Sequence, residues 1–146
     1  MTPEELLEKG LAELTPVMTA AGFEFVGTDT SVDASGVPLV RAEFQKGDRR
    51  LELHVRRSLN AVRYHFGDDV MAHEDLVRGA AAVDRIPGEP QYPGFSEDPM
   101  SGFRHLHADI EKFGATFLKG GAKAFRALKK WVDKNPRKSG IAGLGR

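Results

Sequence analysis

Apolar and polar residues alternate through the middle of the chain, and this alternation constrains the fold more than any other feature. The apolar positions are Val40, Ala42 and Phe44, then Leu51, Leu53 and Val55, and then Val62, Tyr64 and Phe66. A period of two residues is that of a β-strand, whose successive side chains point to opposite faces of a sheet. The pattern therefore predicts three strands with one apolar and one polar face. Residues 23–32, rich in Phe, Val and Thr, predict a strand before them.

Short turn-forming segments separate these four predicted strands, so neighbours in sequence are expected to pair antiparallel. Residues directly opposite each other share a face, so paired numbers across the third and fourth strands must have an odd sum. A two-residue loop would pair Glu52 with His65 and His54 with Arg63, whereas a four-residue loop would pair His54 with His65. A three-residue loop would require a β-bulge.

Helices are predicted on both sides of the strands. The first begins at Thr2 and Pro3, with apolar residues every three or four positions, and Pro16 is expected to break or kink it. A second helix is predicted from His73 to Val83. A third follows Asp98-Pro99 and continues to the Gly120-Gly121 interruption, after which a further helical segment ends at Asn135-Pro136. Between the second and third helices lies a proline-rich loop, residues 84–101, which Tyr92 and Phe95 are expected to anchor.

The predicted fold class is α+β. We expect a four-stranded antiparallel β-meander, with an N-terminal helix and two to three C-terminal helices packed on one face. Residues 1–134 are expected to form a single domain, near the commonest domain size. Residues 135–146 are expected to form a flexible basic tail.

The amino-acid composition excludes several classes of protein. Hydrophobic residues make up 40% of the 146 residues and charged residues 29%, which is ordinary for a folded domain. The chain has no cysteine, which excludes disulfides, cysteine-ligated metals and a thiol nucleophile. No run of residues approaches the ~18 apolar positions of a membrane span, and the acidic N-terminus is unlike a signal peptide. A cytoplasmic bacterial protein is therefore expected.

The polar face of the predicted sheet is the first candidate binding surface. Its residues are Arg41, Glu52, His54, Arg56, Arg63 and His65. His54 and His65 project from neighbouring strands and could form a binding face with a proton-transferring pair. The alternative is a solvated sheet surface with ion pairs between strands.

The basic C-terminal end is the second candidate. Residues 119–146 contain nine basic residues and one acidic residue, a net charge of +8, whereas residues 1–118 carry −8. The candidate residues are Lys119, Lys123, Arg126, Lys130, Trp131 and Lys134. They could contact nucleic acid, an anionic membrane or an acidic partner. Alternatively, these cations complement the helix dipole and the acidic part of the same chain.

No metal site, cofactor or catalytic residue is predicted. The cluster of possible metal ligands comprises His65, Asp68, Asp69, His73, Glu74 and Asp75, and its spacing matches no known ligand pattern. On the third helix, His105 and Asp109 are four residues apart and are expected to form an exposed ion pair. The sequence contains no nucleophile elbow, phosphate-binding loop, zinc-protease motif or dinucleotide fingerprint.

Three short motifs carry a resemblance to a known family. Met71–Arg78, Tyr92–Pro99 and Phe103–Leu106 are similar to segments of small uncharacterised bacterial proteins. Those proteins resemble immunity or accessory proteins encoded near toxins and mobile elements, and the likeness covers roughly residues 20–118. It implies no catalytic residue.

The favoured function is a non-enzymatic protein-binding module, immunity-like or adaptor-like. Its partner would be another protein or a second copy of the chain. One alternative is a small-ligand binder or enzyme using the His54/His65 face. The other is a binder of nucleic acid or of an anionic surface through the basic end.

Overall fold

The computed structural model describes residues 1–32, 34–94 and 96–137, and it has the predicted α+β architecture with an antiparallel sheet. The elements, in chain order, are α1 (Pro3–Ala20), β1 (Glu24–Val32), β2 (Pro38–Lys46), β3 (Arg49–Val55), β4 (Leu59–Phe66), β5 (Asp69–Ala72), α2 (His73–Val83), α3 (Ser101–Phe113), α4 (Ala115–Lys119) and α5 (Ala122–Lys134). Phe95 and the predicted tail beyond Arg137 lie outside the described residues.

The sheet has five strands in the order β1-β2-β3-β4-β5, so the prediction of four strands is wrong. The additional strand, β5, pairs antiparallel with β4, with Phe66 opposite Asp69 and Arg63 opposite Ala72. Gly67 takes a positive φ of 60°, which allows the tight turn between these two strands. With only four residues, β5 is too short to show an alternating pattern.

Neither predicted register between β3 and β4 is found. Glu52 lies opposite Arg63 and His54 opposite Ala61, and a β-bulge follows His54, so that Val55 pairs with Leu59. The hairpin therefore has a three-residue loop together with the bulge that such a loop requires. Before the bulge the paired residue numbers have an odd sum, as the shared-face argument demands.

Helix α1 begins as predicted and does not break at Pro16. The Thr2 side chain accepts a hydrogen bond of 3.1 Å from the backbone N–H of Glu5, which caps the helix. A proline removes one hydrogen-bond donor from the ladder. Leu14 and Met18, on either side of Pro16, are both fully buried in the core, so packing holds the helix continuous across this position.

The predicted third helix is divided in two. It ends at Phe113, and α4 begins at Ala115 after Gly114. A Cβ atom at Gly114 would lie 2.5 Å from the carbonyl oxygen of Ile110, so the chain turns where only glycine fits. Helix α5 then starts after Gly121 and ends before Asn135-Pro136, as predicted.

The core lies between the apolar face of the sheet and the helices. Residues on this face of β2, β3 and β4, including Leu53 and Tyr64, are buried and join one hydrophobic cluster with residues of α1, α3, α4 and α5. The helices leave most of strand β1 uncovered. All its residues are exposed except Gly27, which is half-buried. One edge of the sheet is thus open on both faces.

Candidate functional site

The polar face of the sheet places Glu52 between two histidines. His65 Nε2 donates a hydrogen bond of 2.7 Å to Glu52 Oε1, and His54 Nε2 donates one to Glu52 Oε2. Arg63 Nη1 lies 3.9 Å from Glu52 Oε2. Glu52 is only 6% exposed, although the sequence places it on the wetter face. The structure therefore brings four of the six predicted sheet-face residues together: Glu52, His54, Arg63 and His65.

The other two sheet-face residues lie elsewhere. Arg41 pairs with Asp29 of β1 across a distance of 3.5 Å and does not reach Glu52. Arg56 follows the bulge and belongs to the β3–β4 loop, where its backbone N–H donates to the carbonyl oxygen of Ser58 at 3.1 Å. The predicted strand continued through Arg56, and the bulge removes this residue from the face.

The hydrogen bonds around Glu52 limit the chemistry of this cluster. An ionised carboxylate only accepts hydrogen bonds, so both Nε2 atoms carry a proton when Glu52 is charged. The remaining ring nitrogen of His65, Nδ1, accepts from Arg50 Nη2 at 3.3 Å. Both nitrogens of His65 are therefore occupied, which leaves this ring no free nitrogen for proton transfer.

Glu52 makes the stability of the fold sensitive to acid. Burial raises the pKa of Glu52, but hydrogen bonds from His54 and His65 outweigh this effect and hold the pKa below its ordinary value of 4.5. The stabilisation is therefore present above pH 4.5 and is lost as the pH falls through the lowered pKa of the folded protein.

We expect the variant Glu52→Gln to lose less unfolding free energy than the wild type when the pH falls below 4.5. The measurement is urea unfolding at a series of pH values, because the slope against pH reports the difference in bound protons. Glu97→Gln, at an exposed position, is the control. An identical slope in the wild type and in Glu52→Gln would contradict the assignment.

A buried polar network, which the sequence interpretation missed, connects the sheet with α2 and α3. The Tyr64 hydroxyl donates to His73 Nδ1 at 2.7 Å, and His73 Nε2 donates to Asp109 Oδ2 at 2.8 Å. The backbone N–H groups of Gln91 and Tyr92 also donate to Asp109, each at 2.9 Å. Burial raises the pKa of Asp109, but the hydrogen bonds from His73, Tyr92 and Gln91 outweigh it and lower this pKa overall.

This network corrects the prediction for Asp109. Asp109 is 2% exposed and pairs with His73, whereas His105 lies near the carbonyl oxygen of Pro93. The expected exposed His105–Asp109 ion pair is therefore wrong. A signal was present in the sequence, since Asp109 falls three residues after Leu106 and four before Phe113, on the apolar stripe of α3. A carboxylate on such a stripe indicates a buried partner.

The network is suited to holding the fold together. Burial first, and then the nearby charge of Asp109, raise the pKa of Tyr64 well above its ordinary value, so its hydroxyl remains a donor. His73 also lines a cleft of about 460 Å³, together with Arg63, Glu74 and Tyr92. However, both His73 nitrogens are occupied and Tyr64 is fully buried. Neither group is free to exchange a proton with a molecule in that cleft.

The predicted basic end is divided between two helices. Lys119 ends α4, and Lys123, Arg126, Lys130 and Lys134 lie exposed on α5. Trp131 is half-buried, and the guanidinium of Arg78 lies 5.4 Å from the centre of its ring. Trp131 also lines a groove of about 640 Å³ next to α2. The tryptophan therefore belongs to the contact between α2 and α5, apart from the exposed cations.

Three further findings concern membranes, metals and related proteins. Among the residues that the structure describes, no helix combines the length and apolar character needed to span a bilayer. Within the same ranges, no three His, Asp or Glu side chains are placed to hold a metal ion together. Comparisons with protein-family models, with curated proteins and with solved structures each found no match. Inference about function therefore starts from the geometry of the chain.

Proposed function

We propose that this chain is a non-enzymatic protein-binding module, and that its partner adds an extended segment to the edge strand β1. The observation that carries the proposal is the open position of this strand. Within the described residues β1 pairs only with β2, so its other edge has backbone N–H and C=O groups available to a further strand. Addition of a partner strand to such an edge is a recurring mode of peptide recognition.

Exposed apolar side chains support the same surface. Phe25, Val26 and Val32 are 43%, 50% and 64% exposed, and they are half of the exposed large hydrophobic residues in the described part of the chain. A monomer gains nothing from such a concentration on one strand, whereas an interface buries it.

The register of β1 indicates the chemistry of the partner. Phe25, Thr28, Thr30 and Val32 lie opposite Phe44, Ala42, Val40 and Pro38, and therefore point to the helical side of the sheet. A β-bulge between Phe25 and Gly27 interrupts the strand near its start, and bulges of this kind protect edges from pairing. The regular part, 27–32, is thus the proposed docking segment. It suits an extended partner segment with apolar side chains at alternate positions.

The test uses a double substitution that places charge on this edge. In Thr30→Lys/Val32→Lys, both sites are exposed on the docking segment, so the fold is retained while lysine opposes strand addition. Ala82→Lys/Val83→Lys is the matched control, since both residues are exposed at the end of helix α2 and lie on no strand. Wild type and both variants serve as bait in lysate of the source organism, and each captured protein is purified and titrated against all three.

We expect at least one partner that binds the wild type and the control directly and loses at least about tenfold affinity, roughly 1.4 kcal/mol, for the β1 variant. Sedimentation of the purified chain shows whether that partner is a second copy. Equal binding by all three proteins would contradict the proposed surface, as would the absence of any partner in a chain that sediments as a monomer.

A further inference from the structure

A stripe of cations runs along the exposed face of α5. We define this basic stripe as Lys123, Arg126, Lys130 and Lys134, at spacings of three, four and four residues. At 100° per residue these four positions lie within roughly 80° of one another, along about 16 Å of helix. The apolar face of the same helix, formed by Phe125, Leu128 and Val132, is buried in the core. The orientation of α5 is therefore fixed, and its cations face outward.

The acidic part of the same chain leaves most of this charge uncompensated. Lys123, Lys130 and Lys134 form no ion pair with any residue in the described ranges, and Arg126 contacts Asp69 at 3.3 Å while remaining exposed. The acid on α5 itself, Asp133, pairs with Lys129 at 3.1 Å. Of the predicted alternative, neutralisation by acidic residues thus does not apply to the three lysines within the described ranges. Lys134 does lie in the last turn of α5, where a cation complements the helix dipole.

The carboxylates of the neighbouring helix α2 form ion pairs with cations outside the stripe. Glu74 pairs with Arg137 at 2.8 Å, and Asp75 pairs with both Arg78 and Arg137 at 3.1 Å. These contacts keep the α2 carboxylates from competing for the stripe lysines. Local positive potential therefore persists on α5 although the whole chain has no net charge.

The residues on the exposed face of α5 indicate which polyanion the stripe suits, a membrane surface or nucleic acid. A helix that binds a membrane surface inserts apolar side chains below the headgroups. On α5, the exposed residues beside the stripe are Ala122, Ala124, Ala127 and Asp133, while the large apolar side chains pack inward. Binding to nucleic acid needs only exposed cations at the spacing of a helical face, because the phosphates supply the attraction.

We propose that the basic stripe of α5 binds the phosphate backbone of nucleic acid without reading its sequence. The chemistry is that of lysine and arginine with phosphate, so the binding depends on released counterions. The surface is formed by α5 and is independent of the strand β1.

The first measurement is the affinity of the full chain for a labelled DNA duplex of mixed sequence, by fluorescence anisotropy at several salt concentrations. Four phosphate contacts predict a slope of about −3.6 for log affinity against log salt, or a loss of about 150-fold between roughly 50 and 200 mM. A single strand of the same sequence would give about −2.8.

Matched variants test whether the stripe is responsible. Lys130→Glu/Lys134→Glu removes two contacts, so the duplex slope is expected to fall to about −1.8 and the affinity at low salt to fall more than about tenfold. Lys9→Glu/Arg57→Glu changes the net charge by the same amount at exposed positions on α1 and in the β3–β4 loop, and should keep the wild-type slope. Thermal unfolding of both variants verifies that the fold is retained.

A slope near zero would overturn the proposal, as would equal weakening by the two double variants. Vesicles containing phosphatidylserine provide the remaining comparison. Binding to vesicles without binding to either nucleic acid would assign the stripe to a membrane surface and would equally overturn it.

Discussion

Replacing Asp109 with alanine is expected to destabilise the fold by about 3–5 kcal/mol, the usual cost of breaking a buried pair that contains a charge. The carboxylate accepts hydrogen bonds from His73 Nε2 and from the backbone N–H groups of Gln91 and Tyr92. Alanine would leave these buried donors without an acceptor, and each unsatisfied donor carries a desolvation penalty. The measurement is the free energy of unfolding in urea at neutral pH.

Two controls separate the network from the loss of a charge. Asp109→Asn retains one acceptor oxygen and should cost less than alanine. Asp133→Ala removes a carboxylate whose side chain is 62% exposed on α5, and such surface changes usually stay within about 0.5 kcal/mol. A loss of less than about 1 kcal/mol in Asp109→Ala would show that the network adds little to stability.

Phe117→Ala is expected to produce a loss of similar size, about 3–5 kcal/mol. The Phe117 ring is buried and lies 5.3 Å from the ring of Phe23, 4.9 Å from that of Tyr64 and 6.1 Å from that of Phe125. It thus connects the turn between α1 and β1, the sheet and α5. Because α4 has only five residues, it gains little from its own hydrogen bonds and depends on this contact.

Unfolding in urea again provides the measurement, and Phe25→Ala is the matched control. That ring is 43% exposed and contacts Phe44 alone among the aromatic neighbours in the described residues, so a much smaller loss is expected. Phe117→Leu should lie between the two because it fills part of the cavity. Equal losses in Phe117→Ala and Phe25→Ala would contradict the central position of Phe117.

The elements that were predicted correctly are those with a long local pattern. Alternation over five or more residues identified β2, β3 and β4 and placed Leu53 and Tyr64 inside, where both are fully buried. The bounds of α2 also agree, since acidic residues mark its first turn and its apolar residues follow a helical period. β5 was missed because four residues are too few for an alternating pattern, and the break at Gly114 was missed because the apolar spacing continues across it from Phe113 to Phe117.

The candidate site was predictable to the same extent. Face assignment alone grouped Glu52 with His54 and His65, and the structure confirms that they lie on one face. The register could not be predicted, because a bulge after His54 leaves no signal in alternation. The pairing of His73 with Asp109 joins residues 36 positions apart, and tertiary packing brings them together. Spacing within one helix suggested His105 as the partner instead.

The hydrogen bonds from Gln91 and Tyr92 to Asp109 also divide the connection between α2 and α3 into two shorter loops. Residues 84–100 form one long connection in sequence, but the carboxylate fixes it close to its middle. The connection therefore behaves as two short arcs, each with its own small closure entropy. An insertion on one side of Tyr92 would lengthen only that arc and leave the other unchanged.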